Sequence, residues 1–154
     1  MDALEQIDPR KPDLQADLRV VLGKKRMANL LMVTAQEDNR YELFEEANAL
    51  LRNTLQLARR SLGRDHLLVM RIAMTLGSNL LLTADAFGMY PTVLDEVELI
   101  YANAVKTARR VLGASHPNTK EIQVKLDVVR GLQRGESRYI AAEAVPKGPY
   151  DAPD

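Results

Sequence analysis

The sequence predicts an all-α protein built from repeated helices, on three observations. Aromatic residues make up only 5% of the chain and runs of β-branched residues are absent, so the usual strand formers are missing. Apolar residues recur at three- and four-residue spacing over most of the length, which is the helical period. Finally, LARRSLGRDH at 57–66 returns as TARRVLGASH at 107–116, fifty residues later, with the chain's only two histidines in matching places.

Each element follows from local signals. Residues 1–12 form an N-terminal extension that reads as flexible. Acidic residues in MDALEQIDPRKPD stand where a secretory leader needs a basic start and an apolar centre. From Leu14 the apolar residues Leu14, Leu18, Val21, Leu22, Leu30, Leu31 and Val33 outline helix to about residue 36, with Pro12 suited to the opening turn. Gly23 and the basic run after it leave open whether this stretch is one helix or two. EDNR (37–40) reads as a turn. A long helix follows from about Tyr41 to Leu62, stopped by Gly63, with Arg59 and Arg60 in its last turn where the helix dipole favours cations.

Past the short connector RDH, residues 67–85 are apolar on more than one face, as in a helix held between neighbours. ADAFGMYP (84–91), with Gly88 and Pro91, reads as a connector. The next helix reaches Leu112 and stops at Gly113. Pro117 opens the last one at a position where its missing N–H costs nothing. Ile122, Leu126 and Val129 give that helix a single apolar stripe, the mark of a terminal helix with one wet face. The repeat domain is thus placed at 13–134. From residue 135 three prolines and two glycines among small and charged residues predict a disordered tail, 135–154. A docking peptide carrying Tyr139 and Tyr150 is the alternative use of that tail.

Bulk composition narrows the function classes. With 154 residues, 46% hydrophobic and 27% charged, the chain has the makings of a folded core. Its 21 basic and 21 acidic residues cancel, which argues against a nucleic-acid partner, because such binding is driven by phosphate neutralisation. No apolar run approaches the roughly 18 residues of a membrane span, and the longest, LLVMRIAMTLGSNLLL (67–82), is broken by Arg71, Thr75, Ser78 and Asn79. The expectation is therefore no membrane partner and a cytoplasmic location. The absence of cysteine removes disulfides, thiol catalysis and thiolate-bound zinc.

No metal site or cofactor is expected. Neither histidine has a glutamate three residues before it, as a di-metal bundle would require. The patterns G-x-x-x-x-G-K-S/T, G-x-S-x-G and H-E-x-x-H do not occur. Glu45, Glu46, Asp95 and Glu96 cluster acids at helix starts, where the dipole alone accounts for them. An enzyme or cofactor-binding bundle is the remote alternative.

The repeat carries the functional reading. Aligning 45–66 with 95–116 gives eight identities in 22 positions, spread over a whole helix and its connector, which marks a structural repeat and not a pair of catalytic groups. Gly63, His66, Gly113, His116 and Pro117 are accordingly assigned to the turns, as stops, caps or packing residues. A helix ending in A-R-R-x-L-G-x-x-H-P-x-T resembles the tetratricopeptide repeats of the kinesin light chain type. RRVLGASHPNTKEI (109–122) is the nearest match, with ANLLMVTAQ (28–36) similar to that family's first-helix ending and EEA (45–47) to its second-helix start. The resemblance spans about 19–134.

It implies antiparallel helix pairs stacked as a short right-handed superhelix, about two repeats plus a C-terminal capping helix, whose first helices line a concave peptide-binding groove. Two departures stand out. The fifty-residue period exceeds the family's little over forty, with the surplus assigned to the connector ADAFGMYP, and Leu67 and Leu68 replace the proline and polar residue of the turn motif. By register, Asn29, Arg71, Thr75, Ser78 and Lys125 are the groove candidates, although the family's groove asparagine is matched at Asn29 only.

A non-catalytic module binding a peptide or partner protein is therefore the expected function. A self-associating structural scaffold, and so a homo-oligomer, or a small subunit of a larger complex is the alternative. Met27, Met32, Met70, Met74 and Met89 suit adaptable apolar surfaces, but at helical spacing they read first as core.

Overall fold

The computed structural model describes residues 14–88 and 90–135. The extension at 1–12, Met89, and the tail with Tyr139 and Tyr150 lie outside the described residues. Five helices follow one another: α1 (Leu14–Asp38), α2 (Tyr41–Leu62), α3 (Leu67–Phe87), α4 (Tyr90–Val111) and α5 (Pro117–Gln133). Each packs on the next in the chain, α1 on α2 through α4 on α5, and there is no strand among the described residues. The protein is an all-α stack of helix pairs.

Residues 14–38 form one helix, not two. Gly23 lies in its interior, where a Cβ would meet nothing within 4 Å. An interior glycine costs about 1 kcal/mol relative to alanine, less than the burial of Val21, Ala28, Met32 and Ala35 against α2 returns. The helix ends where Asn39, at φ 51°, turns left-handed and lets the Arg40 N–H reach the Ala35 carbonyl at 3.2 Å. The turn at 37–40 thus shrinks to Asn39 and Arg40.

The expected connector at 84–91 is the main correction. Residues 84–87 are helical and α4 already begins at Tyr90, so only Gly88 and Met89 join the two helices. Packing explains the extension. Ala84 is fully buried, and the Phe87 ring meets Phe44 and Tyr41 of α2 edge-on at centroid distances of 5.3 and 5.1 Å. Pro91 stays within the first turn of α4, where no intrahelical N–H is required. The surplus of the fifty-residue period therefore resides in helix length, 22, 21 and 22 residues for α2, α3 and α4, and not in a loop.

One continuous core runs from Val21 and Ala28 of α1 through Leu51, Leu55, Ile72, Leu76, Leu80, Val97, Tyr101 and Ala108 to Ile122, Leu126 and Val129 of α5. A smaller cluster, Met32, Ala35, Phe44 and Ala47, closes the α1–α2 turn. Of the methionines, Met32 and Met70 are core, Met74 is half-buried and Met27 is exposed. The helix α3 has the length and mean hydropathy (1.6) of a membrane-crossing segment, yet 61% of that stretch is buried between its neighbours, which is the condition of a core helix.

Polar ties join helices that are not adjacent in sequence. Arg52 of α2 holds Glu96 of α4 through two bonds of 2.9 and 2.8 Å, and Arg110 of α4 pairs with Asp65 in the α2–α3 turn. The Glu96 carboxylate stabilises the Arg52 guanidinium and raises its pKa above the ordinary value, against a smaller opposing effect of burial.

Candidate interaction surface

The turns are built on the same plan in both repeats. After α2, Gly63 adopts φ 86° and the His66 N–H closes back on the Gly63 carbonyl at 3.3 Å. After α4, Gly113 adopts φ 95° and the His116 N–H closes on the Gly113 carbonyl at the same 3.3 Å. Positive φ explains glycine at both stops. Each histidine is then the N-cap of the following helix. His66 Nδ1 accepts from the Leu68 N–H and His116 Nδ1 from the Asn118 N–H, both at 3.1 Å. Pro117 occupies the first turn of α5. The two histidines lie in separate turns and share no site.

The groove candidates fall on three helices. Arg71, Thr75 and Ser78, four and three residues apart, share one face of α3 between fully packed positions such as Ile72, Ala73 and Leu76. Arg71 is exposed, and Thr75 and Ser78 are half-buried. The Thr75 hydroxyl donates to the Arg71 carbonyl at 3.0 Å, and the Ser78 hydroxyl lies 3.4 Å from that of Tyr101. Asn29 is exposed on α1 and Lys125 half-buried on α5, with no hydrogen bond or ion pair joining either to the α3 trio.

Behind the trio, α3 and α4 approach closely. The fully buried Tyr101 ring sits where a side chain at Gly77 would be, 2.5 Å from an added Cβ. Repeat alignment places Leu51 at the equivalent of Tyr101, and the larger ring is accommodated by the glycine opposite.

Other chemistry is thin. No group of three or more His, Asp or Glu side chains among the described residues converges as a metal site would. An open cleft of about 340 Å³ lies between Gln56, Arg59, Arg60 and Arg64, too polar and shallow for an enclosed ligand. Tyr41 has its phenol pKa raised, first by its hydrogen bond to the Glu45 carboxylate at 2.9 Å.

Sequence reasoning missed the outer face of α1. Val20, Met27, Leu30 and Val33 are 46, 58, 69 and 52% exposed, although Leu30 and Val33 were counted with the apolar outline of the helix. The signal was present as a second row, Val20, Gly23, Met27, Leu30 and Thr34, spaced three, four, three and four residues apart. The small residues Ala28 and Ala35 carry the core-facing row and conceal it.

Comparison with known proteins bears on α2 and its turn. No curated protein matches the chain. A tetratricopeptide repeat family model matches residues 42–68, which are the body of α2, the Gly63–His66 turn and the first residues of α3.

Proposed function

We propose that this chain is a non-catalytic protein-interaction module of the kinesin light chain type, which holds a peptide or partner protein against the α3 face. Arg71 would be the principal anchor, with Asn29 contributing from α1 and Lys125 from α5. The observation that carries the reading is the tetratricopeptide repeat match at 42–68 on a helix-and-turn unit that recurs at 95–116 with the same bonding. Such repeats bury their core by stacking and leave the open faces of the stack for partners. Residues 13–134 would carry the activity, with 1–12 and 135–154 as extensions, and the setting would be cytoplasmic.

Selection of a displayed random-peptide library on the full chain tests this. Enrichment of a peptide family whose binding falls about tenfold in Arg71→Glu, the loss of one charged anchor, is the expected result. Recovery of no binders, or of binders indifferent to Arg71→Glu and Lys125→Glu, would reject the α3 face.

A further inference from the structure

Among the described residues each interior helix packs closely on the helices before and after it, whereas the main packing of α1 is on α2. On its uncovered side the apolar row at Val20, Gly23, Met27 and Leu30 continues to Thr34, whose hydroxyl turns back onto the Leu30 carbonyl at 3.0 Å. Two positions per heptad is the spacing of a seam that receives one further helix, and Leu22 and Val33, 36 and 52% exposed, widen it on one side. At 100° per residue, Lys24 lies on one flank of this seam and Arg19 and Arg26 on the other. The acids of α1 do not offset them. Asp17 accepts a hydrogen bond from Ser61 of α2 at 3.0 Å, and Glu37 and Asp38 come after the last apolar position.

We infer that this seam docks an amphipathic helix with acidic flanks, supplied by another protein, in the place that one more stacked helix would occupy. Charge selects this occupant over a second copy of the chain. An antiparallel self-pairing that sets Val20 opposite Leu30 brings Lys24 and Arg26 of one chain beside the same residues of the other, and a parallel one also sets like against like. Gly23, with open space above it, lets the incoming helix approach closely at the centre of the contact. The inference rests on the reading of the chain as an interaction module but not on the α3 face.

The test uses the full chain and two synthetic helices of about four heptads, one with Leu at the seam positions and Glu on both flanks, the other with Lys in place of Glu. Binding of the acidic helix one to one, about tenfold or more tighter than its Lys twin, is the expected result, as three flank pairs would give. Leu30→Glu should weaken it about tenfold or more by placing a carboxylate in the seam. The combined Arg19→Glu and Arg26→Glu chain should prefer the Lys helix. Both variants alter exposed positions, and an unchanged thermal melt confirms that the fold is kept.

Arg71→Glu should leave the affinity as it was. Binding that depends on Arg71 but not on Leu30 would overturn the seam while leaving the module reading intact. Equal binding of the two helices would also overturn it. So would a dimer in light scattering that Leu30→Glu dissolves, or sedimentation with phosphatidylserine vesicles that Leu30→Glu abolishes, since either makes the occupant a second copy or a lipid surface.

Discussion

The two ends of the stack solve the same problem differently. Among the described residues α1 is the first helix and α5 the last, and each packs mainly on one neighbour. The exposed positions of α5 are Pro117, Asn118, Lys120, Glu121, Arg130 and Gln133, and none of the large exposed hydrophobics among the described residues lies on α5. Its tie to α4 is reinforced by Arg130 with Glu98 at 3.2 Å, Arg109 with Gln123 at 2.9 Å and Gln133 with Asp95 at 3.1 Å. By contrast, α1 leaves four large apolar residues more than two-fifths exposed. Helical stacks need a polar outer face at their ends to stay dispersed, and an end without one is an interface. The difference separates a cap from a docking surface on helices of the same rank.

The largest test of that contrast is stability. Leu126→Ala in α5 empties a site only 3% exposed and should cost about 2–4 kcal/mol. Leu30→Ala in α1 should change stability by no more than about 0.5 kcal/mol. Urea denaturation of the two variants gives the comparison, and equal losses would mean that the α1 face is already covered.

A glycine in each environment gives the next effect, with opposite signs. Gly77→Ala drives a Cβ onto the buried Tyr101 ring and should destabilise by about 1–3 kcal/mol. Gly23→Ala meets open space and should stabilise by up to about 1 kcal/mol through helix propensity. Melting temperatures moving in opposite directions would sustain the contrast.

The smallest effect concerns the turns. Replacing either capping histidine by alanine removes one N-cap acceptor and should cost about 1 kcal/mol. His66→Ala acts on a helix buried between two neighbours, and His116→Ala on one with a single neighbour. Hydrogen exchange at the first turns of α3 and α5 should show greater fraying in α5.

The fold was legible where a local signal had one outcome. Glycine followed three residues later by histidine marks the α2 and α4 ends because the left-handed stop and the cap are both backbone events. It failed where the same residue fits two outcomes. Gly88 and Pro91 read as loop, yet a glycine closes a helix and a proline opens one, so two long helices meet across Gly88 and Met89 alone. Gly23 was undecidable locally because tertiary packing of Val21 and Ala28 settled it.

The candidate site was less legible than the fold. Periodicity put Arg71, Thr75 and Ser78 on one helix face, but the α1 seam was hidden by apolar residues on two faces of one helix. Spacing alone does not say which face a neighbour covers.

The central claim, a capped end and an open one, is tested most directly by cysteine accessibility, which the cysteine-free sequence makes unambiguous. Alkylation rates of Leu30→Cys in α1 and Lys120→Cys in α5 would be measured with and without the acidic helix. The account predicts that both react freely in the chain alone and that the acidic helix protects Leu30→Cys only. Protection of Leu30→Cys before any helix is added, or none after, would contradict it.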